Sequence, residues 1–252
     1  CHIATDAINE KYAEMREQLK RKRHFGRAKR KKGASLLLRH ANEGVVTDPT
    51  SYVTTIVEGL EFRFMAGTFF QNNPYVLPIM VQHVVEAASR PSADGTRMTH
   101  LIDCYCGSGL FCLSCASKFD VCVGIELNKK AAREATGNAK RNNITNCLFV
   151  DASAEAIFEG SDAAIVRDYP RESTVVVCDP PRKGCSEEFL EQVYEFKPQR
   201  VVYMSCDPST QARDAKGIVE NGYEIVSVQP FDLFPQTRHI ECLMVFEKEK
   251  FL

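Results

Sequence analysis

From about residue 66 onward, short apolar runs rich in β-branched residues alternate with stretches of helical spacing. Strand signals fall at 100–106, 121–126, 147–151, 174–179 and 201–206, and helix signals at 74–89, 110–118, 129–142, 186–196 and 209–221. Strands and helices in strict alternation predict a doubly wound, mostly parallel α/β sheet. The last two strand signals, 224–230 and 242–247, have only a fairly short loop between them. They predict an antiparallel hairpin at one side of that sheet.

The first 65 residues read differently. Residues 5–23 have helix-forming composition, and nine of the thirteen residues at 20–32 are Lys or Arg. That run suits a phosphate-contacting arm, a nuclear-localisation patch or a solvated loop. Strand-like pieces follow at 34–39, 52–58 and 60–65, the last two parted by Gly59 as in a hairpin. The expected organisation is a small α+β appendage at 1–65 and a catalytic domain at 66–252. A first residue Cys1 in place of methionine reads as a fragment or processed product.

Bulk properties exclude several classes. A net charge of −1 gives no global pull toward nucleic acid, so any such argument must be local. No apolar run is long enough to span a bilayer, and no signal peptide opens the chain. Eleven cysteines scattered through the expected elements do not make a disulfide scaffold. A reducing compartment is expected, cytoplasm or nucleus, with the mitochondrion open.

Three constellations carry chemistry. In the first, Asp103-Cys-Tyr105-Cys-Gly107-Ser-Gly109 runs from a strand through glycines into a helix, and Glu126 follows Gly107 by nineteen residues at the next strand end. Glycines let a ligand approach the backbone, and the acid can accept from ribose hydroxyls. Cys112 stands where a dinucleotide fingerprint has its third glycine, which favours S-adenosylmethionine, a molecule without pyrophosphate, over NAD. A metal site is not expected, because Cys104 and Cys106 are assigned to a strand.

The second constellation is Asp179-Pro-Pro-Arg182-Lys-Gly184, a carboxylate at a strand end followed by a rigid turn. Methyltransferases acting on amino groups carry an aromatic residue after the two prolines to stack the base, and Arg182 in that place argues against their chemistry. The third is the strand-to-helix passage Ser205-Cys206-Asp207-Pro208, flanked elsewhere by Phe69-Phe70-Gln71-Asn72-Asn73 and His239-Ile240-Glu241. Asp207 is a natural N-cap and Pro208 suits the first helical position. A helix N-terminus favours a thiolate, whereas the Asp207 carboxylate opposes it. Cys206 alone reads equally as a nucleophile or a buried structural cysteine.

Together FFQNNP at 69–74, DCYCGSG at 103–109, Glu126, DPPRKG at 179–184, SCDPST at 205–210 and HIEC at 239–242 resemble the RNA uracil-5-methyltransferase family. The match covers essentially all of 66–252 in the family's order. The resemblance implies a Rossmann-like class I S-adenosylmethionine-dependent methyltransferase that methylates uracil C5 of a T-loop uridine in tRNA. It makes Cys206 the nucleophile and Glu241 the general base. Gln71, Tyr105, Gly107, Glu126 and Asp179 would bind the cofactor. The chemistry itself adds Phe69 as a stacking surface for a flipped uridine and Arg182 as a partner for the enolate oxygen or an RNA phosphate. Leu110 stands where bacterial relatives usually have Asn. The cluster-binding cysteines of bacterial ribosomal-RNA members and the family's N-terminal RNA-binding barrel have no counterpart. The basic first 65 residues resemble the eukaryotic, fungal tRNA branch, and a monomer without metal is expected. An RNA cytosine-5-methyltransferase, separable by product analysis, and a non-catalytic RNA-binding module, separable by single-turnover methyl transfer, stay open as alternatives.

Overall fold

The structure is a computed structural model and describes residue 1 and residues 3–24, 36–158 and 164–249. Most of the basic run at 20–32 lies outside the described residues. The chain opens with α1 (Asp6–His24), the short strands β1 (Arg39–Ala41) and β2 (Gly44–Val46), and the hairpin β3 (Tyr52–Val57) and β4 (Leu60–Met65). Next come α2 (Leu77–Ser89), β5 (His100–Cys104), α3 (Leu110–Cys115), β6 (Val121–Glu126), α4 (Lys129–Arg141) and β7 (Cys147–Asp151). The rest is α5 (Ala164–Arg167), β8 (Thr174–Cys178), α6 (Glu187–Phe196), β9 (Arg200–Ser205), α7 (Pro208–Glu220), β10 (Tyr223–Phe231) and β11 (Glu241–Lys248).

Seven strands form one sheet in the order β10-β11-β9-β8-β5-β6-β7. Strands β5 to β9 pair in parallel, while β11 pairs antiparallel with both β9 and β10. This is the expected Rossmann-like α/β sheet with a C-terminal antiparallel hairpin. The central strands β8 (TVVVC) and β9 (RVVYMS) are buried at every position, as strands covered on both faces must be. Side chains alternate between two cores. Leu101, Val175, Val202 and Val245 face α2, α3 and the β3–β4 hairpin. Ile102, Val176, Tyr203 and Phe246 face α6 and α7.

From β5 the chain builds outward through β6 to β7, then returns to β8 on the other side of β5. The order reverses between β5 and β8, and in open parallel sheets the crevice beyond the strand ends at such a reversal is where ligands bind. Both the glycine loop after β5 and the diproline turn after β8 open there.

Four local expectations need correction. The helix expected from 74 begins at Leu77, because Asn73 Oδ1 accepts from the Tyr75 and Val76 amides at 3.0 and 3.1 Å and makes a turn of its own. The helix expected over 110–118 is regular only to Cys115 and then tightens into a 3₁₀ turn, Ala116–Lys118. Cys106 lies beyond β5, in the loop. The strand expected over 34–39 meets the observed β1 only at Arg39, residues 34 and 35 lying outside the described residues and 36–38 being irregular, and β2 had no sequence signal.

Arg200, fully buried, joins the far end of the sheet to α2. Its guanidinium pairs with Glu247 at 2.6 Å and donates to the carbonyls of Ala87, Ala88 and Arg90. Arg200→Ala would leave Glu247 with Arg90 alone, 3.0 Å away, and take the donor from three carbonyls, so it is expected to cost about 3 kcal/mol in chemical denaturation.

Candidate active site

β9 delivers Cys206 to the crevice and α7 starts immediately after it. Asp207 caps that helix, accepting from the Ser209 amide at 3.0 Å, and Pro208 fills the first turn, as expected. Glu241 begins β11. Cys242 pairs with Ser205, so one further step in the same register sets Glu241 opposite Cys206. Gln211 on α7 fixes this meeting point, donating 2.9 Å hydrogen bonds to the carbonyls of Tyr203 on β9 and Cys242 on β11.

A cavity of about 440 Å³ lies over these strand ends, and Phe69, Gln71, Asp179, Arg182, Cys206 and Glu241 all line it. Pro180, Pro181, Phe234 and His239 complete its walls. Phe69 is largely exposed at the rim, whereas Gln71 and Glu241 are buried. A cavity of this size suits a base with its sugar. A larger depression of about 540 Å³, lined by Glu58, Gln82, Glu86 and Lys118, lies between the β3–β4 hairpin, α2 and α3 and holds none of these groups.

The cavity is crowded with acid. Burial raises the Glu241 carboxyl, partly offset by Arg182, and its Oε2 is buried with no hydrogen-bond partner. Burial and the neighbouring Glu241 push Asp179 up to about 8. Burial, then Glu241 and Asp179, also raise the Cys206 thiol, while Arg182 pulls it down. The expected opposition between the helix N-terminus and Asp207 is therefore replaced by another balance. Asp207 is held low chiefly by the Ser209 amide, its charge spent on the cap. Since the raised thiol ionises only as pH climbs, Arg182→Ala is expected to move the pH midpoint for alkylation of Cys206 upward by about half a unit or more. Iodoacetamide labelling followed peptide by peptide measures it, and an unmoved midpoint would remove Arg182 from the activation of the thiol.

Arg182 is held in place from behind. Thr210 Oγ1 donates to the Arg182 carbonyl at 3.2 Å, and Arg213 Nη2 donates to the Lys183 carbonyl at 3.0 Å. Asp214 Oδ2 accepts from the Cys185 amide at 2.8 Å and from the Tyr203 hydroxyl at 2.7 Å. Gln211 and Asp214 were missed from sequence, although a signal existed. They share the buried stripe of α7 with Ala215 and Ile218, and polar residues on such a stripe need internal partners.

The cofactor loop is built next door. Gly107 and Gly109 have φ of +55° and +89°, and a Cβ at Gly109 would come within 3.1 Å of Leu113 and Phe149. Asp103 Oδ2 accepts from the Cys112 amide at 2.8 Å, anchoring α3, while its Oδ1 is buried without a partner. Glu126 accepts from the Gly107 and Asn128 amides at 2.9 and 2.6 Å, which holds its carboxylate at the loop. Tyr105, itself at φ +63°, packs its ring against Phe189 and points its hydroxyl at Glu155, 3.4 Å away. Glu155, which also receives Ser153 and Ser186, had no motif to announce it, and neither did Phe234. The loop geometry, the spare acceptor of Asp103 and the carboxylate of Glu126 fit an adenosine-bearing cofactor. Among the described residues no group of His, Cys, Asp and Glu could hold a metal ion, and no helix is long and apolar enough to cross a membrane.

Comparison with known proteins identifies the family. The family model described as tRNA (Uracil-5-)-methyltransferase matches residues 7–249. A tRNA (uracil(54)-C(5))-methyltransferase of Schizosaccharomyces pombe is 38% identical over 259 aligned residues, covering 98% of this chain and 47% of the relative. The Saccharomyces cerevisiae protein of the same description is 40% identical, covering 81% of this chain and 32% of its own. The chain thus spans about half or less of these curated relatives. Among solved structures, the Pyrococcus abyssi tRNA (uracil-54, C5)-methyltransferase in complex with S-adenosyl-L-homocysteine superposes with a TM-score of 0.64 at 26% identity, covering 80% of this chain and 45% of that one. Trm5b from the same organism shares the fold alone, at 13% identity and a TM-score of 0.60 over 82% of this chain and 58% of that one. With its crevice residues in place and a family match running nearly end to end, the chain belongs to the tRNA (uracil-5-)-methyltransferase family.

Proposed function

We propose that this chain is the catalytic region of an enzyme that methylates uracil C5 in tRNA, at the uridine 54 named for its relatives, with S-adenosylmethionine as donor. The observation that carries this is the register of β9 and β11, which sets Cys206 opposite Glu241 in one cavity with Asp179 and Arg182. Residues 66–252 form the catalytic domain, 1–65 an appendage to it, and the enzyme acts as a monomer.

Uracil C5 is too weak a nucleophile to take a methyl group unaided. The Cys206 thiolate adds to C6, forming an S–C6 bond and moving an electron pair onto C5 and O4. Arg182, at the cavity wall, neutralises charge on that enolate oxygen. S-adenosylmethionine, when bound, supplies an electrophilic methyl group for C5. The cofactor is held by Gln71, Tyr105, Gly107, Glu126 and Asp179. Glu241 then accepts the C5 proton, the electron pair re-forms the C5–C6 double bond, and the S–C6 bond breaks to return the thiolate. A carboxyl raised by burial is the stronger base once ionised, which suits removal of a carbon-bound proton. The uridine must leave its stack to reach Cys206, and Phe69 offers its exposed ring for the flipped base.

The test is transfer of labelled methyl from S-adenosylmethionine to an unmodified tRNA transcript, with the product nucleoside identified. 5-Methyluridine, lost when the T-loop uridine is replaced, supports the assignment. 5-Methylcytidine or no transfer at all overturns it.

A further inference from the structure

A second groove lies outside the catalytic cavity, between the β3–β4 hairpin and α4, with a volume of about 340 Å³. Arg63, Lys130, Arg133 and Arg141 line it, against one carboxylate, Glu134. Lys130, Arg133 and Arg141 recur at helical spacing on one face of α4, whose residues hold five cations and one acid. The helix offers this face because its neighbouring side chains are fixed to the hairpin. Glu134, Asn138 and Asn142 accept from the amides of Met65, Arg63 and Glu61 at 3.3, 2.8 and 2.8 Å, turning the unpaired edge of β4 into a bonded seam.

The charges in the groove are available. Neither Lys130 nor Arg133 belongs to an ion pair among the described residues, and Arg141 reaches Glu61 only at 3.9 Å. Glu134 directs its oxygens inward, to the Met65 amide and the Ser108 hydroxyl. Arg63 is stacked over the half-exposed ring of Tyr52 at 4.2 Å, so its donor edge is pre-oriented. At Gly137 in the lining, an added Cβ would meet nothing within 4 Å, which leaves the floor open. From Lys130 to Arg141 the helix runs about 16 Å, longer than one phosphate group needs. A short length of chain ties the groove to the catalytic site. Met65 in its wall is four residues before Phe69 at the cavity rim, at most about 14 Å of chain.

We infer that this groove is a subsite for the phosphodiester backbone of the RNA substrate, holding a segment away from the flipped base. The inference rests on the proposed function for the identity of the polyanion. Cations facing phosphates fix register and orientation without reading sequence, and each released counterion steepens the salt dependence of binding.

The experiment is equilibrium binding of an unmodified tRNA transcript across a salt series by the full chain and by Lys130→Ala/Arg133→Ala, both of which remove exposed side chains. Lys216→Ala, on the exposed face of α7, is the control, and S-adenosylmethionine affinity checks the fold. The double variant is expected to weaken RNA binding about tenfold or more and to lower the slope of log K against log salt by about 0.7–0.9 per cation removed. The double charge-conserving variant Lys130→Arg/Arg133→Lys is expected to restore both. An unchanged affinity and slope, or an equal loss in Lys216→Ala, overturns the subsite. Methyl transfer by the unaltered chain is measured alongside. Transfer with an unchanged slope sinks the groove and leaves the function standing, whereas a reduced slope without transfer does the reverse.

Discussion

Replacing Cys206 by alanine is expected to abolish methyl transfer, by at least about 10⁴-fold, while leaving S-adenosylmethionine binding within about twofold. The size follows from the chemistry, since without addition at C6 no electron pair reaches C5, and losing a covalent nucleophile commonly removes most of an enzyme's advantage. The selectivity follows from the structure. Cys206 lies in the cavity beside Arg182 and Glu241, whereas the cofactor loop is held by Asp103, Glu126 and the glycines after β5. The side chain is only partly buried and fills no core, so unfolding is expected to shift by less than about 1 kcal/mol. Single-turnover transfer and calorimetric cofactor binding on one preparation measure both quantities. Full activity in the alanine variant would leave the proposed chemistry without a nucleophile.

Glu241→Gln is expected to do the opposite to the intermediate and accumulate it. Glutamine keeps the shape and the position opposite Cys206 but accepts no proton, so addition and methylation proceed while elimination stalls. A covalent protein–RNA species should persist through denaturing electrophoresis, and turnover should fall by about 10²–10⁴-fold, the usual contribution of a positioned base. The pH dependence has a definite sign. Because burial raises the Glu241 carboxyl, its basic form is lost as pH falls through that raised value, and elimination slows on the acid side. If the glutamine variant turns over normally, or shows no adduct with tRNA and S-adenosylmethionine present, another group removes the proton.

Much of this site was legible because its elements are local. Asp207 and Pro208 announce the start of α7 three residues at a time, and the glycines after β5 announce a turn that only positive φ can make. The alternating order from residue 100 onward constrained the sheet because few architectures accept it. What sequence does not carry is which distant ends meet. That Glu241 faces Cys206 depends on β11 inserting between β10 and β9, and the two residues stand 35 apart in the chain. The acid crowding around the thiol has the same origin, because Asp179 and Glu241 reach Cys206 from separate strands. The motifs name Asp179 and Glu241 as site residues, but local reasoning set only the carboxylate next in sequence, Asp207, against the thiolate and not these two next in space.

The seam between α4 and β4 has a metrical consequence. Four residues of helix advance about 6.0 Å and two residues of antiparallel strand about 6.8 Å, so rungs spaced this way fall out of step by about 0.8 Å each. The rungs at Asn142 and Asn138 both close at 2.8 Å, and the last stretches to 3.3 Å even though glutamate, one methylene longer than asparagine, makes it. Helix and strand act as two rulers of nearly equal pitch, coincident over three marks and no further. Three rungs made at once give the hairpin one place along the helix, and the start of the segment that reaches Phe69 is measured off from α4.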